Sequence, residues 1–270
     1  MFEEIRTITL HSSIIIIYWA AVSRLFYWKE WNVRNYRGET VPFSAGAFLF
    51  LFVWMYVMTY ERTPEAGVFL MYTAAVCTAG WLDDRKGELY PKGIRGHIRY
   101  LKNKKKPTTG VVKIIITLPA AVAAAVSAGE QPLEMAVAFM LFVLSPHVCN
   151  LFDTRPLRVW KWSVCHAVLF LFLIGGSFTV PLTAIGVGII GIAAWAVMEG
   201  TERTLLGDNG AAAAGAVLAW TAVLILPFWI QLSIVMVYLL LTVLSEYISF
   251  HRVISRFPLL AVLDKAGRKK

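Results

Sequence analysis

The chain has 270 residues, of which 58% are hydrophobic and 16% charged, with a mean hydropathy of +0.62 and a formal net charge of +9. Soluble domains carry roughly 25% charged residues, so lipid must cover part of this apolar surface and a water-soluble globule is excluded. The basic residues cluster between apolar segments rather than along a nucleic-acid stripe, so no nucleic acid is expected as a partner despite a pI near 9.5.

Along the chain, the start Met1-Phe2-Glu3-Glu4 is acidic and lacks the basic region of a signal peptide, so the first apolar segment is expected to remain as an anchor. Apolar spans are expected near 8–27, 44–60, 66–82, 111–128, 133–149, 162–178, 181–198, 211–228 and 230–250. Each approaches the roughly 20 residues that a helix needs to cross a bilayer. The fold class predicted is all-α: a polytopic transmembrane helix bundle of about nine spans, forming a single integral membrane domain over 1–270. Small residues in the seventh and eighth spans (Gly186, Gly188, Gly191, and Ala211–Ala214 with Gly215) suit close helix packing. The tail 250–270 mixes apolar and basic residues and is expected to lie on the membrane as an amphipathic helix.

One set of connections holds Lys29, Arg34 and Arg37, then nine basic residues from Arg85 to Lys106, then Arg155, Arg158, Arg203 and the basic tail; the other holds Arg6 and Arg62. Basic residues favour the cytoplasmic side, so the N-terminus is expected outside and the C-terminus in the cytoplasm, in the cell membrane. The run Lys102–Lys106 is expected to meet anionic lipid headgroups. Trp19, Trp28, Trp31, Trp160, Trp162 and Trp229 fall near span ends and read as interfacial anchors. Cys77, Cys149 and Cys165 form no CxxC pair and are expected to be buried thiols. His166, inside a span, reads as a hydrogen-bonded packing residue.

Of five aspartates, four lie where a span meets the basic side: Asp83, Asp84, Asp153 and Asp208. Carboxylates gathered there among Lys and Arg suit Mg²⁺ and phosphates, because magnesium takes oxygen ligands and leaves positions for substrate phosphate. Neighbouring Asp83 and Asp84 point about 100° apart on a helix, so different roles are expected for them. In Leu206-Gly207-Asp208-Asn209-Gly210 the glycines allow close backbone approach, and the helix start that follows is expected to offer free N–H groups to an anion. A plain turn is the alternative.

These residues resemble the polyprenyl-phosphate N-acetylhexosamine-1-phosphate transferases. Gly80-Trp81-Leu82-Asp83-Asp84 is similar to that family's aspartate pair. Thr108-Thr109-Gly110 with Lys113 is similar to its next helix entry, Asn150-Leu151-Phe152-Asp153 to its second acidic motif, and Leu206–Gly210 to its magnesium motif. The resemblance implies Mg²⁺-dependent transfer of a sugar 1-phosphate from a nucleotide sugar, with UDP as the implied nucleotide, to a membrane polyprenyl phosphate such as undecaprenyl phosphate. The products are a lipid diphosphosugar and UMP, for cell-envelope glycan synthesis in bacteria. It implies Asp208 and Asp83 as metal ligands and Asp83, Asp84 and Asp153 as catalytic carboxylates. Asn150, Lys113, Arg95, Arg155, Gly207 and Gly210 are the implied substrate-binding residues, with Asn150 holding Asp153; Lys86 joins them by its proximity to the aspartate pair rather than by a motif match. A homodimer is carried as a further expected assembly.

The chain departs from the family where Gly87 stands in place of a lysine, where Thr154-Arg155-Pro156 follows Asp153, and where no triple-histidine loop occurs. These departures motivate a second reading, a non-catalytic relative that binds polyprenyl phosphate or a partner membrane protein. A transporter ranks third, since His166 is the one ionisable residue near a span centre.

Overall fold

The computed structural model describes residues 2–61, 63–87, 100, 102–103, 108–175 and 181–269. Among these, eleven helices surround one two-stranded hairpin. The helices are α1 (Phe2–Trp28), α2 (Ser44–Tyr60), α3 (Pro64–Lys86), α4 (Thr109–Ala128), α5 (Pro132–Phe152), α6 (Arg158–Leu173), α7 (Leu182–Gly200), α8 (Gly207–Ile225), α9 (Phe228–Ser245), α10 (Phe250–Arg256) and α11 (Pro258–Lys265). Strands β1 (Asn32–Arg34) and β2 (Thr40–Pro42) pair antiparallel with Val33 opposite Val41. The chain is almost all helical, as expected, and this short hairpin is the one addition to it among the described residues. Its turn forms because the Asn35 side-chain oxygen accepts N–H bonds from Arg37 and Glu39, both at 2.9 Å, while Gly38 takes a positive φ.

Seven helices, α1, α3, α4, α5, α7, α8 and α9, are long and apolar enough to cross a membrane. The chain is therefore a helical integral membrane protein. Nine spans were expected; the two that fall short are α2, with 17 residues, and α6, with 16. At 1.5 Å per residue each covers about 25 Å, less than the roughly 30 Å of hydrocarbon. The start of α2 is fixed by the hairpin at Pro42, and α6 begins only after a turn at Asp153–Leu157 in which Leu157 is left-handed.

Local sequence explains the starts of three helices. Thr63 caps α3, accepting the Ala66 N–H at 3.2 Å with Pro64 in the first turn, and Thr108 caps α4. Gln131 and Glu134 form a capping box on α5, with Pro132 at the first position, where its missing N–H costs nothing. In contrast, α2 takes its cap from far along the chain. Thr204 accepts the N–H groups of Ser44 and Ala45, both at 3.1 Å, and donates to the Pro42 carbonyl.

α8 is the axis of the bundle. Of its apolar window 67% is buried, against 11% for α1 and for α9. It packs against α2, α3, α5 and α6, and its small residues permit this. Gly215 lies on the Ser145–Pro146 backbone of α5, and a methyl group there would stand 2.6 Å from the Ser145 carbonyl carbon. Leu10, Ile16 and Ile17 of α1 and Met236, Val237 and Leu240 of α9 face outward, the surface that lipid must cover. Buried Cys77 and Cys149 agree with expectation, whereas Cys165 of α6 is exposed because it lies on that outward surface. His166 is bonded through Nδ1 to the Trp162 carbonyl and through Nε2 to the Tyr238 hydroxyl, as a packing residue.

The tail does not form one continuous amphipathic helix. It folds as α10, α11 and the segment Ala266–Lys269, a strap docked on the turn before α6. Arg158 binds both Asp264 oxygens at 2.7 and 2.8 Å. Lys161 donates to the carbonyls of Leu263, Asp264 and Ala266, and Arg37 reaches the Lys269 carbonyl at 2.8 Å.

Candidate functional site

The four aspartates singled out in the sequence come from three helix ends and converge at the N-terminus of α8. Gly80 makes the approach possible. It sits against the α8 backbone, where a Cβ would lie 2.6 Å from the Asp208 carbonyl and 2.7 Å from the Asn209 nitrogen. One turn later on α3, Asp84 accepts the backbone N–H groups of Asp208 at 2.8 Å and Asn209 at 3.0 Å. Asp84 therefore caps α8 from another helix, matching its negative charge to the positive end of the dipole.

Asp83 turns toward Lys113 of α4. The Lys113 ammonium donates to Asp208 at 2.6 Å and lies 3.9 Å from Asp83. Asp83 and Asp208 face each other across this ammonium. The side chains of all three are about one-quarter exposed, so the centre is recessed but open. His147 of α5 lies within the field of Lys113.

Asp153, the residue that ends α5, completes the group. Its carboxyl lies near the Gly207 N–H and within the fields of Glu199, Asp208 and Asp84. Burial, together with those like charges, pushes its carboxyl well above the ordinary value. Asp153 therefore keeps its proton to higher pH than a solvated aspartate.

Several expected roles change. The N–H groups at the start of α8 were expected to be free for an anion, but Asp84 takes those of Asp208 and Asn209. Gly207 is needed for its φ of +72° and because a Cβ there would lie 2.7 Å from an Asp84 oxygen. Gly210 faces Leu206 and the Cα of Gly46, where a Cβ would lie 2.6 Å away. Both glycines allow a close approach that a side chain would block. The Asn150 contact to Asp153 runs through the backbone: the Asp153 N–H donates to the Asn150 carbonyl at 3.2 Å. Arg155 stacks over the Tyr36 ring at 4.0 Å, and Lys86 is exposed at the end of α3; neither touches the four aspartates. Arg95 and Lys104–Lys106 lie outside the described residues.

The sequence reading passes over two groups. Glu199 is buried in the last turn of α7, accepts the Trp195 indole N–H at 2.7 Å and acts on Asp153 through space. An acid ending an otherwise apolar helix was its signal. His147 stands three residues before Asn150, on the same helical face.

Among the described residues no three His, Cys, Asp or Glu side chains form a ready metal cage. Magnesium at phosphate sites uses one or two carboxylates plus substrate oxygens, so the pair to test is Asp83 and Asp208. They present oxygen donors only, suited to a hard cation, and two facing carboxylates share a single ammonium. That donor set fits magnesium. The buried Asn209 side-chain oxygen is without a partner, but it points at Gly46 of α2 and away from this pair.

Comparison with protein-family models and with curated proteins returns no match. Fold and site together define a polytopic helical membrane protein with an aspartate-rich centre at one end of its bundle.

Proposed function

We propose that this centre is the catalytic site of a Mg²⁺-dependent transferase that moves a sugar 1-phosphate from a nucleotide sugar to a membrane polyprenyl phosphate. The observation supporting this reading is the meeting of Asp83, Asp84, Asp153 and Asp208 around Lys113 at one helix end. The resemblance to the polyprenyl-phosphate sugar-1-phosphate transferases rests on these same residues. In this reading all of α1 to α9 lie within the membrane, the N-terminus is outside, and the centre opens to the cytoplasm, as the basic connections require.

The chemistry asks little of the protein as a base. A phosphate monoester has a second pKa of about 6, so the acceptor arrives ionised. One of its oxygens attacks the β-phosphorus of the nucleotide sugar; the bond to the bridging oxygen breaks and UMP leaves with that electron pair. Positioning and charge neutralisation carry such a transfer. Asp208 and Asp83 would hold magnesium, which supplies positive charge to the diphosphate when bound. Lys113 holds the two carboxylates together and lowers their mutual repulsion. Asp84 fixes the start of α8, and so the direction of Asp208. Asp153, whose proton is held more tightly than a solvated aspartate's, lies beside the Gly207 turn that leads into Asp208.

The non-catalytic reading draws on the α8 N–H groups, two of which the protein's own Asp84 occupies. One assay separates the two. Purified protein is mixed with undecaprenyl phosphate, Mg²⁺ and a panel of UDP-sugars, and UMP is measured. Mg²⁺-dependent release is expected, with a loss of at least ~100-fold in Asp208→Asn, the scale of removing one key electrostatic group. No release from any sugar, with lipid phosphate still bound, would favour the non-catalytic protein. Release undiminished in Asp208→Asn would overturn the metal assignment.

A further inference from the structure

A second chemical environment lies at the same end of the bundle, where the strap crosses α6 and α7. It encloses a cleft of about 750 Å³. Its inner wall is apolar, formed by Trp160 of α6 with Ala196 and Val197 of α7. Val197 is half-exposed on the outer surface of the bundle, so this wall is continuous with the surface that lipid must cover. Gly200 and Gly267 close one end. A Cβ on Gly200 would lie 2.7 Å from the Gly267 carbonyl, and the Lys269 N–H donates to the Gly200 carbonyl at 3.1 Å.

The rim is cationic. Lys161 and Arg268 border it, but both are committed: Lys161 to three strap carbonyls and Arg268 to Asp264 and the Pro156 carbonyl. Arg203 and Lys269 are exposed at the mouth, and among the described residues neither has a carboxylate partner. A free anion would satisfy these two cations but leave the apolar wall in contact with water. A neutral lipid would cover the wall and leave the cations unmatched. An amphiphile with an anionic head satisfies both. None of the residues lining the cleft belongs to the aspartate centre, so its occupant is not positioned to react there.

We propose that this cleft binds one anionic phospholipid of the adjacent leaflet, with its phosphate between Arg203 and Lys269 and an acyl chain along Trp160, Ala196 and Val197. The lipid bridges α6, α7 and the strap, and it is distinct from the acceptor lipid of the proposed transfer.

The test is native mass spectrometry of the full chain in detergent, titrated with phosphatidylglycerol or with phosphatidylcholine of the same acyl chains. One phosphatidylglycerol should be retained per chain in preference to phosphatidylcholine. The pair Arg203→Gln with Lys269→Gln should weaken it about 30-fold, the loss expected for two cations near a membrane surface. Both side chains are exposed, so neither exchange disturbs packing. Ala196→Phe, which fills the cleft and leaves every charge in place, should weaken retention as well. Equal retention of the two lipids, or an unaffected double variant, overturns the proposal. An unaffected Ala196→Phe overturns the cleft as the location. Full displacement by millimolar inorganic phosphate would make it a free-anion site, and one-for-one displacement by undecaprenyl phosphate would make it the acceptor's. The readout needs no nucleotide sugar, so it stands or falls apart from the transferase reading.

Discussion

Two charged clusters occupy the same end of this bundle, and they are built in opposite ways. At Asp264, one carboxylate is held by two guanidiniums, those of Arg158 and Arg268. At the start of α8, Asp83 and Asp208 share one ammonium, that of Lys113, with Asp84 and Asp153 close by. The first cluster is satisfied within the protein and fastens the strap. The second is short of positive charge and recessed but open, a condition that a bound cation would relieve. The proposed function rests on this second cluster, where carboxylates outnumber cations, and not on the first, where they are matched.

The contrast can be broken at either end. The largest effect is expected from Arg158→Met. Arg158 is buried, and removing one partner from a buried pair costs about 3–5 kcal/mol. The unfolding midpoint in detergent should fall accordingly, and the strap should become protease-sensitive; a change below about 1 kcal/mol would show that the strap does not depend on this pair. A smaller effect is expected from Lys113→Met, which leaves Asp83 and Asp208 facing each other. A charge-assisted hydrogen bond is worth about 1.5–3 kcal/mol, so stability should fall by about 2 kcal/mol. Added Mg²⁺ should restore more stability to this variant than to the wild type. If Mg²⁺ stabilises neither protein, the pair is not a metal site.

The smallest effect concerns acid. Burial raises the pKa of Asp264, but the hydrogen bonds and charges of Arg158 and Arg268 outweigh it, and the net shift is downward. A carboxyl with a depressed folded pKa contributes stability that is present above its unfolded value and is lost as pH falls through the folded one. Hydrogen exchange of residues 258–269 should therefore stay slow through mildly acidic pH and quicken only below the ordinary carboxylate range. Release of the strap at pH 5 to 6 would contradict this assignment.

Composition and periodicity carried much of the fold. Runs of apolar residues near bilayer length, punctuated by Thr63-Pro64, Thr108 and Gln131-Pro132 with Glu134, place α3, α4 and α5, because the hydrophobic requirement and helix capping are local effects. The acidic helix ends were legible for the same reason: a carboxylate is costly in lipid, so its position at a span end is conspicuous. The local sequence marks Gly207 as a point of close approach, and the structure adds its positive φ and the neighbouring Asp84 oxygen.

Contacts between distant segments were not legible. Nothing local to Asp84 tells that it caps a helix 124 residues away, or that Thr204 caps α2. The docking of Asp264 on Arg158 spans 106 residues, and neither residue's neighbours encode the other. The hairpin at Asn32–Pro42 was missed because three-residue strands carry too little periodicity to register. The sequence by itself determined that this is a helical membrane protein with acids at one end, since lipid solvation acts on each segment separately. Only the tertiary structure decided which of those acids cap, which face one another and which hold the strap. Those roles depend on where glycines let helix backbones meet, and such meetings are properties of pairs of segments.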